Sequence, residues 1–136
     1  MKYNKNKQQG GVADSFVSLI EKGIDSLVGL FLQKPGFNVF KPGELEERWS
    51  VIENTAGNMA VIEADKLVDA VLKKANIAGA SMADRMRKTE SLVERYVYQG
   101  MWDAHKLRNS AVHDVDRVVS QGDIDVALMK IKKYLI

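Results

Sequence analysis

With 136 residues, 46% of them hydrophobic, the chain has enough apolar material for one domain with a real core, which excludes a disordered bulk. A formal charge of +2 is too small for the global field to gather nucleic acid, although a local patch can still hold phosphate. Cysteine is absent, which excludes disulfides, cysteine-containing zinc sites and thiol catalysis, and fits a reducing cytoplasm.

Only two prolines interrupt a composition rich in Ala, Leu, Lys, Glu, Met and Arg. No segment alternates apolar and polar residues while also being rich in β-branched and aromatic types. The composition therefore predicts an all-α fold. Residues 1–12 are mainly Lys, Asn, Gln and Gly, and predict a flexible basic tail. The apolar segment behind Lys2, Lys5 and Lys7 carries Asp14, Glu21, Lys22 and Asp25. A signal-peptide core or a membrane span needs a run nearly free of charge, so a cytoplasmic location is expected.

Residues 13–32 read as an amphipathic helix. Phe16, Leu19, Ile20, Ile24, Leu27, Val28, Phe31 and Leu32 recur at helical spacing opposite Asp14, Ser18, Glu21, Lys22 and Asp25. Such a stripe packs on a core, on a second protomer, or at a membrane interface. The mixed charge of its polar face argues against the membrane. Residues 33–43 contain Pro35-Gly36 and Pro42-Gly43, two turn signals that make this stretch the linker to a domain spanning 44–136. Its aromatics Phe37 and Phe40 are expected to tuck against that domain.

From Glu44 the pattern predicts one long helix to about Ala75, bending near Gly57, with Glu44, Glu46 and Glu47 at its positive dipole end. Trp49, Ile52, Ala56, Met59, Ala60, Ile62, Leu67, Val71 and Leu72 supply the inward face. Asp65 and Asp69, a turn apart among Lys66, Lys73 and Lys74, read as a solvated face. Ser81 with Asp84, Ser91 with Glu94, and Ser120 with Asp123 are candidate capping boxes for three further helices. A break is expected at Gly100, followed by helix from Met101 to His113. The last helix sets Ile124, Val126, Ala127, Ile131, Tyr134 and Leu135 against Lys130, Lys132 and Lys133.

Both histidines fall in Trp102-Asp103-Ala104-His105-Lys106-Leu107-Arg108-Asn109-Ser110-Ala111-Val112-His113-Asp114. At about 100° per residue, His105, Asn109 and His113 share one helix face, with Arg108 on its flank. Arginine can fork two donors onto phosphate oxygens and stabilise the charge of a phosphorane-like transition state. Histidine titrates near neutral pH and can exchange a proton with a ribose 2′-hydroxyl or a leaving 5′-oxygen. Such a reaction needs neither metal nor cofactor.

The run Arg108-Asn109-Ser110-Ala111-Val112-His113 resembles the Arg-x(4–6)-His motif of HEPN domains, with a polar residue directly after the arginine. The flanks Trp102 to Leu107 and Asp114 are similar to small bacterial HEPN-like proteins, and the resemblance covers residues 44–136. It implies an all-α bundle of four or five helices that pairs as a homodimer. It further implies a metal-independent ribonuclease acting on RNA in toxin–antitoxin or defence systems, with an antitoxin or other protein as partner. Arg108 would then stabilise the phosphate, His113 would be the acid–base group, and Asn109 would orient either. His105 and Lys106 lie outside the motif as neighbours that add to a basic cleft. The competing reading is a non-catalytic dimerisation or partner-binding module. In it, Arg108 pairs with Asp103, Asp114 or Glu94 and His113 bonds the last carbonyls of its helix.

Two other chemistries find little support. His105 and His113 are separated by about 12 Å of helical rise, too far to share one metal ion without help from another chain. The glycines at 10, 11 and 79 lack the spacing of a phosphate-binding loop.

Overall fold

The computed structural model describes residues 37–114 and 116–136. The tail at 1–12, the amphipathic helix at 13–32 and the first part of the linker lie outside the described residues. Among the described residues there are five α-helices and no strand: α1 (Glu44–Glu53), α2 (Asn58–Lys74), α3 (Met82–Arg87), α4 (Arg95–His113) and α5 (Gln121–Leu135). The all-α expectation holds. No helix among them is long and apolar enough to cross a membrane.

The single helix expected over 44–75 is two helices. Gly57 adopts φ 62° and ψ −149°, a backbone region that only glycine occupies without strain. Side chains finish α1 before it: Asn54 Nδ2 donates to the Ser50 carbonyl and Thr55 Oγ1 to that of Val51, each at 2.8 Å. The break gives α2 a rotational phase of its own. Ala56 and Met59, expected inside, are exposed, whereas Val61, Ala64 and Val68 are at most 1% exposed.

α2 is the central element. It packs on α1, α3, α4 and α5, and its buried face adds Leu67, Val71 and Leu72 to a core shared with Met86, Val97, Met101, Ala104, Ile131 and Leu135. Its C-terminus closes as a Schellman motif. Asn76 takes φ 59°, its N–H reaches the Lys73 carbonyl, and the Ile77 N–H reaches that of Leu72.

α3 starts where the Ser81 box places it, with the Ser81 hydroxyl accepting from the Asp84 N–H at 3.1 Å. Its Arg85 is buried and donates twice to Asp69 Oδ1 and once, at 2.7 Å, to the Gly79 carbonyl, tying the loop before α3 to α2. Burial works to raise the Asp69 pKa, but the bonds from Lys73 and Arg85 outweigh it and hold the carboxyl below its ordinary range.

The Ser91 box does not form. Thr89, fully buried, donates to the Met86 carbonyl at 2.7 Å and holds the chain in turns, so α4 begins at Arg95 with no side-chain cap. α4 then passes through Gly100 unbroken, and a Cβ at Gly100 would sit 3.3 Å from Cγ of Lys130 on α5. That neighbour is a flexible side chain whose ion pair with Asp103 is largely exposed and contributes little. Gly100→Ala is therefore expected to stabilise the domain by about 0.5–1 kcal/mol through helix propensity, read as a rise in the urea midpoint.

The Ser120 hydroxyl accepts from the Asp123 N–H at 3.1 Å, as the third box predicts, and opens α5. Val126, expected inside, is 46% exposed, while Ile124, Ala127, Ile131, Tyr134 and Leu135 are buried. Both linker aromatics are engaged. Phe37 stacks obliquely on Tyr134 with ring centres 5.4 Å apart, and the Phe40 ring lies under the cations of Arg48 and Lys74.

Candidate functional site

The centre of the site is a carboxylate that the sequence pattern placed in solvent. Asp65 is 2% exposed, because α4 lies across the face of α2 that carries it. Charged side chains are almost never fully buried unless paired, and Asp65 has two partners on α4. Its Oδ1 accepts from His105 Nδ1 at 2.9 Å, and its Oδ2 stands 3.4 Å from Nε of Arg108. Asp69, expected beside it in solvent, is held by Arg85 and Lys73 instead.

Arg108 is therefore not paired with Asp103, Asp114 or Glu94. Asp103 is turned toward Lys130 at 3.1 Å. Residues 105 and 108 are neighbours on a helix surface, so one carboxylate on the facing helix can meet both. The Arg108–Asp65 contact is electrostatic: Nε is buried and makes no hydrogen bond of good geometry. The rest of the guanidinium is partly exposed, and its Nη1 donates to Asn109 Oδ1 at 2.9 Å. Asn109 thus orients the arginine directly, and it is half-buried beside it.

His105 was expected to be a peripheral neighbour of the motif. It is instead a core member of the cluster, with its ring also meeting Trp102 edge-on at a centroid distance of 6.0 Å. Lys106 is exposed. His113 sits in the last turn of α4, exposed, and no hydrogen bond or ion pair among the described residues involves it. The bond to the helix-end carbonyls allowed for His113 is therefore not made. α4 ends at Asp114, whose own N–H reaches the Ser110 carbonyl.

The structure brings Arg108 and Asn109 together and anchors them through Asp65. His113 remains on the exposed helix end, further round and about 7.5 Å along from Arg108 by rise. Asp65 and His105 are the members that sequence reasoning undervalued. The missing signal was helical phase: with Val61, Ala64 and Val68 inward, Asp65 falls on the buried side by the same spacing.

Among the described residues no three His, Cys, Asp or Glu side chains gather as metal ligands. An open depression of about 750 Å³ lies elsewhere, between the first half of α4 and Lys130, and includes none of Asp65, His105, Arg108, Asn109 or His113. The cluster borders the surface, with the His105 side chain 12% and that of Arg108 27% exposed. A half-exposed arginine held by a buried carboxylate can receive an anion without searching rotamers. No protein-family model, curated protein or solved structure matches the chain.

Proposed function

We propose that the domain is HEPN-like and cleaves RNA without a metal ion, as a cytoplasmic homodimer with Arg108, Asn109 and His113 in its site. The observation that carries this reading is the pairing of opposites at the end of α4. Arg108 is positioned by the buried Asp65 and by Asn109, while His113 is exposed and engages no group of its own chain among the described residues. A phosphodiester held by the guanidinium would find its developing charge stabilised, and the nearby imidazole would exchange a proton with an oxygen of the reacting centre. A second protomer bringing its own Arg108 and His113 would enclose the substrate. A toxin or defence role, with an antitoxin-type protein as partner, belongs to the same reading.

A second reading is favoured by Asp65 itself. One buried carboxylate gathering two side chains from α4 also fastens α2 to α4, as a non-catalytic partner-binding or dimerisation module would require. RNA cleavage separates the two. Wild type and His113→Ala are incubated with RNA in excess EDTA and the products are resolved by mass spectrometry. Cleavage by the wild type, with 2′,3′-cyclic phosphate ends and a loss of about 10²–10⁴-fold in the variant, supports the ribonuclease. RNA left intact by both proteins supports the module.

A further inference from the structure

A second imidazole stands closer to Arg108 than His113 does. Helix residues three or four apart are neighbours, whereas residues five apart are not. His105 precedes Arg108 by three positions, and both reach the carboxylate of Asp65. Because a carboxylate accepts, His105 donates from Nδ1, and in the neutral ring the lone pair then resides on Nε2. Nε2 has no hydrogen-bond partner among the described residues. Arg108 Nε is the one buried side-chain nitrogen or oxygen among them lacking a partner. Nε2 of His105 is therefore not fully enclosed by the described residues, although the side chain as a whole is only 12% exposed. An imidazole with a carboxylate on Nδ1 and an open Nε2 has the tautomer and orientation of a general base. Trp102, edge-on to the ring, restricts it further.

We infer that His105, oriented by Asp65, is the proton acceptor of this site, acting on a ribose 2′-hydroxyl of an RNA strand whose phosphate lies on Arg108. The inference deepens the ribonuclease reading and rests on it. In the step, the 2′-oxygen bonds to phosphorus and its proton passes to Nε2 of His105. The bond from phosphorus to the 5′-oxygen breaks, and that oxygen takes a proton from the imidazolium of His113. The products are a 2′,3′-cyclic phosphate and a 5′-hydroxyl, and water returns each histidine to its starting state. Asp65 is a positioning residue in this scheme, and His105 a catalytic one.

Two measurements on the full chain test it. In the first, diethyl pyrocarbonate acylates imidazole nitrogens and peptide mass spectrometry reads each histidine separately, with no RNA present. His105 of the folded wild type is expected to react, and Asp65→Asn to slow it several-fold while the His113 rate stays put. A His105 that reacts only after unfolding in urea overturns the inference, whatever happens to RNA. In the second, His105→Gln is expected to lower kcat for an RNA oligonucleotide in EDTA by about 10²–10⁴-fold, with KM little changed. An unchanged kcat overturns the role of His105 and leaves the ribonuclease standing. No cleavage by the wild type overturns the ribonuclease and the role of His105 in it together. A reactive His105 in the first measurement then places that failure in the assigned reaction and not in the orientation of the ring.

Discussion

Asp65→Ala is expected to destabilise the domain by about 3 kcal/mol, seen as a lower urea midpoint with an unchanged slope. The magnitude reflects the groups left behind. Removing one partner of a buried pair strands the other, and here two groups are stranded: His105 at 12% exposure and Arg108 at 27%. Arg108 can turn part of its guanidinium to water, which keeps the effect near the lower end of the range for broken buried pairs. Asp65→Asn keeps the volume and one acceptor, so its effect is expected to be smaller. The double variant Asp65→Ala/Arg108→Ala should lose less than the two single losses added, because each removes the same interaction. Strict additivity would mean that the 3.4 Å contact carries no energy.

Alkaline unfolding supplies the second large effect, and it centres on Tyr134. This residue is fully buried, and its hydroxyl oxygen lies 2.7 Å from Oγ1 of Thr89. Thr89 spends its only proton on the Met86 carbonyl, so Tyr134 is the donor in the pair. Burial pushes the Tyr134 phenol up to about 12. A folded-state pKa above the unfolded value of 10.0 means that the folded protein favours the protonated phenol. This contribution is complete below pH 10 and is lost as pH rises toward 12. The loss amounts to roughly 2–3 kcal/mol over that window. Tyr134→Phe removes the titrating group, so its stability should fall less steeply between pH 10 and 12. Below pH 10 it should be less stable than wild type by about 1–2 kcal/mol, from the lost hydrogen bond. A variant whose alkaline profile parallels the wild type would rule out Tyr134 as the source.

The fold was legible where a local rule acts alone. Ser81 and Ser120 cap their helices, since a hydroxyl three residues before a free N–H needs no tertiary help. The Ser91 box fails because Thr89, buried against Tyr134, already commits the chain to turns. Gly100 was expected to break a helix by its low propensity, yet burial of Val97, Met101 and Ala104 on either side of it holds the helix together. Asn109, expected to orient the phosphate or the histidine, instead accepts from Arg108, its neighbour in the chain. Asp65 was not legible, because its burial depends on the phase that Gly57 resets and on α4 arriving from 40 residues away. A polar residue flanked by lysines looks solvated until the facing helix is known.

The interruption at Gly57 has a consequence for how this domain tolerates change. In one continuous helix, adding a residue near Trp49 would turn everything after it by about 100° and swing Asp65 away from α4. Here the left-handed glycine acts as a swivel, so the orientation of α2 is set by its own contacts and not inherited from α1. A residue added in α1 would disturb the seating of Trp49 and Ile52 in the core, while the Asp65–His105–Arg108 cluster stays in register. The phase of the helix that holds the chemistry is thus independent of the phase of α1.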